Sequence, residues 1–227
     1  MASRTRTRPA SPGSRSARDQ AQRRQRLIML AVGVVVVALA VIVGLTTTPS
    51  SESRVALDDI VGTPQIDGAS LPTIGDDPST DPAVGGAAPV VRGADFDGQP
   101  VVIGEAGTPQ LITFMASWCP VCERELPEVA EWMDAGGLPA GVELVAVSTF
   151  PDPGRPNWPP DDWFEREGFT APVLADDADA SVMEAYGLTA TPSWVVVDAD
   201  GEVVLRLSGM VGAEQLDALA ALAAAES

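Results

Sequence analysis

The second half of the chain alternates between short unbroken apolar runs and apolar residues at helical spacing. Val101–Ile103 is a short apolar run after the turn Asp97-Gly98, and Leu111–Met115 (LITFM) is a compact strand candidate. From Pro120 to Asp134 the period changes: Cys122, Leu126, Val129 and Met133 share one helical face. Val142–Val147 predicts the next strand. A Pro-rich loop (PDPGRPNWPP) follows, then a helix at Asp161–Glu167, a short strand at Pro172–Leu174 and a helix at Asp176–Tyr186. Trp194–Val197 and Glu202–Leu207 are strands joined by the hairpin signal Asp198-Ala-Asp-Gly201, and Gly212–Ala225 is Ala/Leu-rich and helical. This order predicts an α/β domain, a mixed central sheet with helices on both faces.

Ahead of that domain the pattern is different. Leu27–Leu45 is a nineteen-residue run without a charge. As a helix it spans roughly 28 Å, close to a bilayer's hydrocarbon thickness. Residues 1–26 hold eight Arg and one acid, a net +7, whereas residues 46–227 carry −25. By the positive-inside rule the basic tail stays cytoplasmic and everything after residue 45 is exported. The run is too long for a signal-peptide core, no Ala-x-Ala cleavage site follows it, and no Cys near its end marks a lipoprotein. The reading is therefore an uncleaved single-pass anchor in the cell membrane. Residues 46–85, rich in Pro, Ser, Thr, Gly and Asp, read as a flexible linker, within which Ile60–Leu71 is a candidate extra strand. Residues 86–227 form one domain. Its acidity argues against a nucleic-acid partner.

Composition then narrows the chemistry. The 227 residues include no His and no Lys, so all fourteen basic residues are Arg; there are two Cys. Without His there is no Ser-His-Asp triad and no imidazole metal site; without Lys there is no phosphate-loop lysine and no Schiff base. Two Cys cannot complete a four-thiolate site. No cofactor and no metal is expected. What survives is carboxylate, hydroxyl or cysteine chemistry. Ser117-Trp-Cys119-Pro-Val-Cys122 places a C-x-x-C at a strand-to-helix junction. At a helix start, unpaired N–H groups and the helix dipole favour a thiolate at Cys119, while Cys122 lies one turn in on the apolar face. An exposed low-pKa thiol beside a shielded one suits disulfide exchange. A structural disulfide or half a metal site are the bland alternatives.

The segment Phe114-Met-Ala-Ser-Trp-Cys-Pro-Val-Cys-Glu-Arg-Glu-Leu-Pro127 resembles the active-site segment of membrane-anchored TlpA/ResA-like thioredoxin-fold proteins. Their W-C-x-x-C-x-x-E-x-P pattern is met by Trp118, Cys119, Cys122, Glu125 and Pro127. A second signature, Tyr186-Gly-Leu-Thr-Ala-Thr191-Pro192-Ser-Trp194, follows at the family's distance. The resemblance covers roughly residues 86–227. It implies a thioredoxin-like fold, Cys119 as attacking thiol, Cys122 as resolving thiol, and a cis Thr191–Pro192 peptide offering a backbone edge to substrate. It further implies that Trp118 walls the thiol and that Glu125 exchanges protons with the thiols; a solvated surface charge is the plain alternative for Glu125. Pro127 would kink the helix.

The departures are specific. Thioredoxins themselves carry an Asp six positions before the first Cys, where this chain has Thr113. The dipeptide Pro120-Val121 resembles the Pro-x of cytochrome c-maturation and Dsb-type oxidoreductases rather than Gly-Pro. A peroxiredoxin P-x-x-x-T-x-x-C pattern fails, since Ala116 lies three before Cys119.

Other candidates read as structure. Asp198-Ala-Asp-Gly lacks the spacing of a calcium loop. Asp176, Asp177 and Asp179 favour a helix start, and Trp158 and Trp163, flanking the Pro-rich loop, read as loop packing ahead of a substrate contact. The leading expectation is a membrane-tethered extracytoplasmic thiol–disulfide oxidoreductase. Its partners would be exported protein thiols or disulfides and a membrane redox partner; reductase (cytochrome c maturation-like) and oxidase directions both stand. The alternative from another class is a membrane-anchored binding module with a structural C-x-x-C disulfide.

Overall fold

The structure, a computed structural model, describes residues 63–225 except Asp76. The basic tail, the apolar run and the first part of the expected linker lie outside the described residues. Among the described residues no helix is long and apolar enough to cross a membrane.

Two sheets form the frame. A three-stranded antiparallel sheet runs β1 (Gln65–Asp67), β2 (Val90–Ala94), β3 (Pro100–Ile103). The central sheet has five strands in the order β6 (Val173–Ala175), β5 (Glu143–Ser148), β4 (Gln110–Met115), β7 (Ser193–Val197), β8 (Val203–Ser208). β4, β5 and β6 are parallel, while β7 runs antiparallel to β4 and to β8. The helices are α1 (Cys122–Asp134), α2 (Pro160–Arg166), α3 (Ser181–Ala185) and α4 (Ala213–Ala225).

Every residue of β4 is buried, as suits a central strand covered on both faces. Its alternating side chains divide the core in two. Leu111 and Met115 join Leu126, Val129, Trp163, Trp194 and Leu216 on one side. Ile112 and Phe114 join Val145, Val147, Leu174, Met183 and Tyr186 on the other. Each such side chain contributes about 1.5–3 kcal/mol on leaving water. At the C-terminal end of β4 the chain enters the turn that carries the cysteines and then α1. Pro127 sits inside α1, where it removes one helix N–H.

Three expectations are corrected. The linker does not run to residue 85: from Thr63 the chain already belongs to the folded domain, and Ile60–Leu71 does contain a strand, β1. The reason is a buried ion pair. Arg206 on β8 and Asp81 are both without side-chain exposure, joined by Nη2–Oδ1 at 2.5 Å and Nε–Oδ2 at 2.8 Å. The same guanidinium donates to the carbonyls of Pro72 (2.9 Å) and Tyr186 (2.6 Å), fastening residues 72–81 to the sheet. Gly187 accommodates this approach: at φ +66°, a Cβ there would lie 2.3 Å from the Pro72 carbonyl oxygen.

β2 is an additional strand, and α3 is shorter than expected. Asp176 does not begin the helix. Its carboxylate accepts from the backbone N–H groups of Val182 (3.0 Å) and Met183 (3.3 Å), so residues 176–180 form the cap and α3 starts at Ser181.

Candidate active site

The cysteines sit where the sequence places them, at the turn from β4 into α1. Both are free thiols and both are buried: Cys122 fully, and Cys119, expected to be exposed, at 7% exposure because the core packs up to the helix start. The Cys119 amide bonds back to the Ala116 carbonyl (2.9 Å), and the Cys119 carbonyl accepts the Glu123 amide (3.0 Å). Cys122 is the first residue of α1, and no side chain caps the helix there. At that helix start the Val121 and Cys122 amides are directed at the Cys119 sulfur.

The two sulfurs are driven in opposite directions. Burial acts on Cys119 to raise its pKa, but hydrogen bonds from the Cys122 amide, from Thr191, from the Cys122 thiol and from the Val121 amide outweigh it, so the net shift is downward. Cys122 is pushed up to about 12, first by burial and further by hydrogen bonding to, and the charge of, Cys119. A thiol biased towards its thiolate and a partner kept protonated are thus held within hydrogen-bonding reach of each other.

Opposite Cys119 lies the loop before β7. The Cys119 thiol is 3.5 Å from the Thr191 carbonyl oxygen, and the Thr191–Pro192 peptide is cis. The Pro192 carbonyl is already bonded to the Gly209 amide (2.8 Å), so the Thr191 carbonyl is the one turned to the sulfur. On the other flank Trp118 is half-buried. Its indole N–H donates to the Phe150 carbonyl (2.8 Å), its ring lies 6.4 Å from that of Phe150, and the guanidinium of Arg155 stacks on it. Asn157 holds this Pro-rich loop to the helix start through the Ser117 carbonyl (2.9 Å) and Glu123 (2.5 Å).

Glu125 is not a solvated charge. It is wholly buried, with Oε1 accepting from the Trp194 indole N–H (3.0 Å) and the Val211 amide (2.7 Å); Oε2 has no partner among the described residues. Burial lifts its pKa to about 7, against the lowering effect of those two donors. Its hydrogen bonds go to Trp194 and Val211 rather than to either sulfur. Thr113, at the thioredoxin Asp position, is buried with its hydroxyl 3.5 Å from the Ser193 carbonyl. Trp163 belongs to the core against Phe164, and the Asp198 carboxylate closes the hairpin on the amides of Asp200 and Glu202. Phe150, Arg155, Asn157 and Trp194 escaped the sequence reading. They sit far from the cysteines along the chain, and only Trp194, beside the Thr-Pro signature, carried a signal.

A strand-to-helix C-x-x-C facing a cis-proline loop on a β6-β5-β4-β7-β8 sheet defines a thioredoxin-fold thiol–disulfide oxidoreductase. The chain belongs to the Redoxin family, whose model matches residues 83–218. It is 30% identical over 135 residues to thiol-disulfide oxidoreductase ResA of Geobacillus thermodenitrificans, covering 59% of this chain and 74% of that protein. It is 27% identical over 121 residues to sporulation thiol-disulfide oxidoreductase A of Bacillus subtilis, covering 53% and 72%. The fold is also that of a thioredoxin-family thiol:disulfide interchange protein from Chlorobium tepidum, with a TM-score of 0.50 and 22% identity over 60% of this chain and 94% of that one.

Proposed function

We propose that this chain exchanges disulfides with exported proteins through Cys119-Pro120-Val121-Cys122, on the outer side of a membrane to which residues 27–45 tether it. The opposite shifts of the two sulfurs carry the reading: one is set up to attack, the other to wait. The +7 tail and the uncharged nineteen-residue run support the tether.

In the reductive direction the Cys119 thiolate attacks one sulfur of a substrate disulfide. A Cys119–substrate disulfide forms, and the other substrate sulfur leaves as a thiolate. Cys122 then loses its proton and attacks the Cys119 sulfur, forming the Cys119–Cys122 disulfide and releasing the second substrate thiolate. Two electrons pass from the protein dithiol to the substrate, and the reverse sequence oxidises a substrate dithiol. Once Cys119 is in the mixed disulfide its negative charge is gone, which removes one contribution to the high pKa of Cys122. Glu125, one helical turn beyond Cys122 and lifted to about 7, is the proton carrier for that thiol. Thr191 and Pro192 align the substrate backbone, and Trp118 forms the apolar wall.

The test is insulin reduction by the full chain and by Cys119→Ser and Cys122→Ser. Both variants should lose turnover, and Cys122→Ser alone should accumulate mixed disulfides. Inactivity of the unmodified chain would leave the C-x-x-C an inert staple. The couple's reduction potential assigns direction: a value near that of thioredoxin, about −270 mV, means a reductase, and one near that of DsbA, about −120 mV, an oxidase. Protease added to intact cells should remove the domain; a protected domain contradicts the topology.

A further inference from the structure

We propose that Arg124 and Arg155 select substrates whose reacting cysteine is flanked by carboxylates, a preference that rests on the exchange reading above. Residues 46–227 carry a net charge of −25, so carboxylates far outnumber arginines in this part of the chain. Five arginines lie among the described residues. Three engage a carboxylate: Arg92 with Asp67 and Glu105, Arg166 with Glu167, and Arg206 with Asp81. Arg124 and Arg155 are the two that pair with none of the described carboxylates, and both are exposed.

These two are tied to the residues on either side of Cys119. The Arg155 guanidinium carbon lies 4.2 Å from the ring centroid of Trp118, the residue before it. The Arg124 Nη1 donates to the carbonyl of Pro120, the residue after it, at 2.9 Å. Two of the three neighbouring acids are otherwise engaged, and the third forms no ion pair with either arginine. Glu123 accepts from Asn157 (2.5 Å), and Asp152 Oδ1 closes a turn on the Gly154 amide (2.8 Å), while Glu128 is exposed one turn beyond Arg124. A guanidinium has five N–H donors in a planar fork that fits a carboxylate. Arg124 spends one on Pro120, and the Arg155 guanidinium, lying over the Trp118 ring, spends none on the described residues. The loop that carries Arg155 is itself fixed, because Arg166 donates to the Asn157 side-chain oxygen (2.8 Å) and Asn157 bonds the Ser117 carbonyl (2.9 Å). The mouth of the site therefore presents two ready-placed cations on an anionic body.

The occupant is an extended cysteine-bearing polypeptide segment with Asp or Glu next to its cysteine. Net charge alone argues for the reverse, attraction of basic segments, and this opposition makes the inference easy to overturn. At about 0.15 M salt the body's long-range field is screened within about 8 Å, whereas contacts at the cysteine persist.

The experiment uses the reduced full-length protein in a neutral detergent. The probes are three peptide disulfide dimers, identical except that glutamate, glutamine or lysine flanks the cysteine on both sides. Each second-order rate is divided by the rate of the same dimer with dithiothreitol, which removes the effect of the flanks on the leaving thiol. The expected order is glutamate, glutamine, lysine, with about fivefold between the ends. Arg124→Gln combined with Arg155→Gln should abolish or invert that order, and Arg124→Lys with Arg155→Lys should keep its sign. Equal rates, faster reaction of the lysine peptide, or an order unchanged in the double glutamine variant overturns the inference while leaving exchange intact. Failure of all three peptides to react overturns the exchange reading and this inference together.

Discussion

Asp81 and Glu125 are both carboxylates taken almost completely out of water by the same sheet, and they end in opposite electrostatic states. Asp81 meets the guanidinium of Arg206, whose hydrogen bonds hold its carboxyl below the usual range despite burial. Glu125 meets two neutral donors, an indole and an amide, and burial wins: its pKa rises to about 7. A buried acid with a cation is fixed in one charge state and works as a bolt. One without a cation sits near the pH at which it can take up or give away a proton, and this one lies a helical turn from the resolving thiol. The fold places a permanent charge where it fastens Asp81 to the sheet and a titratable one on the helix that begins at Cys122.

Breaking the bolt should produce the largest effect. Arg206→Met leaves Asp81 buried and unpaired and should cost about 3–5 kcal/mol, measured by denaturant unfolding. The loss should be greatest above the ordinary carboxylate pKa. Asp81 has a depressed folded pKa, so its contribution to stability is present above the unfolded value and is lost as pH falls through the folded one. A variant as stable as the parent, with residues 63–85 still protected from proteolysis, would remove the bolt from the account.

Glu125 has the opposite sign. Its folded pKa lies above the ordinary 4.5, so the folded state binds the proton more tightly. Stability from this group is greatest below pH 4.5 and declines as pH rises to about 7, by about 3 kcal/mol at most. Glu125→Gln cannot ionise, so its stability relative to the parent should improve over that window. Parallel stability–pH curves for the two proteins would show that the carboxyl ionises as freely in the fold as outside it. The same substitution should lower the thiol pKa values by up to about one unit, read from alkylation rates.

Trp194→Phe is a smaller perturbation. It removes the indole donor and should cost about 1–2 kcal/mol while raising the Glu125 pKa further, since that bond favours the ionised form. A pH profile of exchange identical to the parent's would mean that the indole packs without tuning the acid.

The contrast between the bolt and the titratable acid also marks what the sequence could reveal. Uniform apolar runs such as LITFM and WVVV identified β4 and β7, and the change of period after Pro120 located α1. The cysteines and the Thr-Pro signature were legible because their spacing is local. Residues 63–85 read as linker because their Pro, Gly and Asp content offers no periodic pattern; they are ordered by Arg206, more than a hundred positions away. β2 was hidden by Arg92 and Gly93, which interrupt a short five-residue strand. A solvated Glu125 stood as the alternative because Glu123, Arg124 and Glu128 surround it in sequence, yet it shares the buried face of α1 with Cys122, Leu126 and Val129. Burial of a lone carboxylate is a tertiary fact.

The central claim is the asymmetry of the two sulfurs, and alkylation of the reduced protein across pH, followed by peptide mass spectrometry, tests it most directly. Cys119 should reach half its maximal rate below pH 9, and Cys122 should remain largely unlabelled until the pH approaches about 12. Equal rates at the two sulfurs, or earlier labelling of Cys122, would contradict the assignment of attacking and resolving thiols.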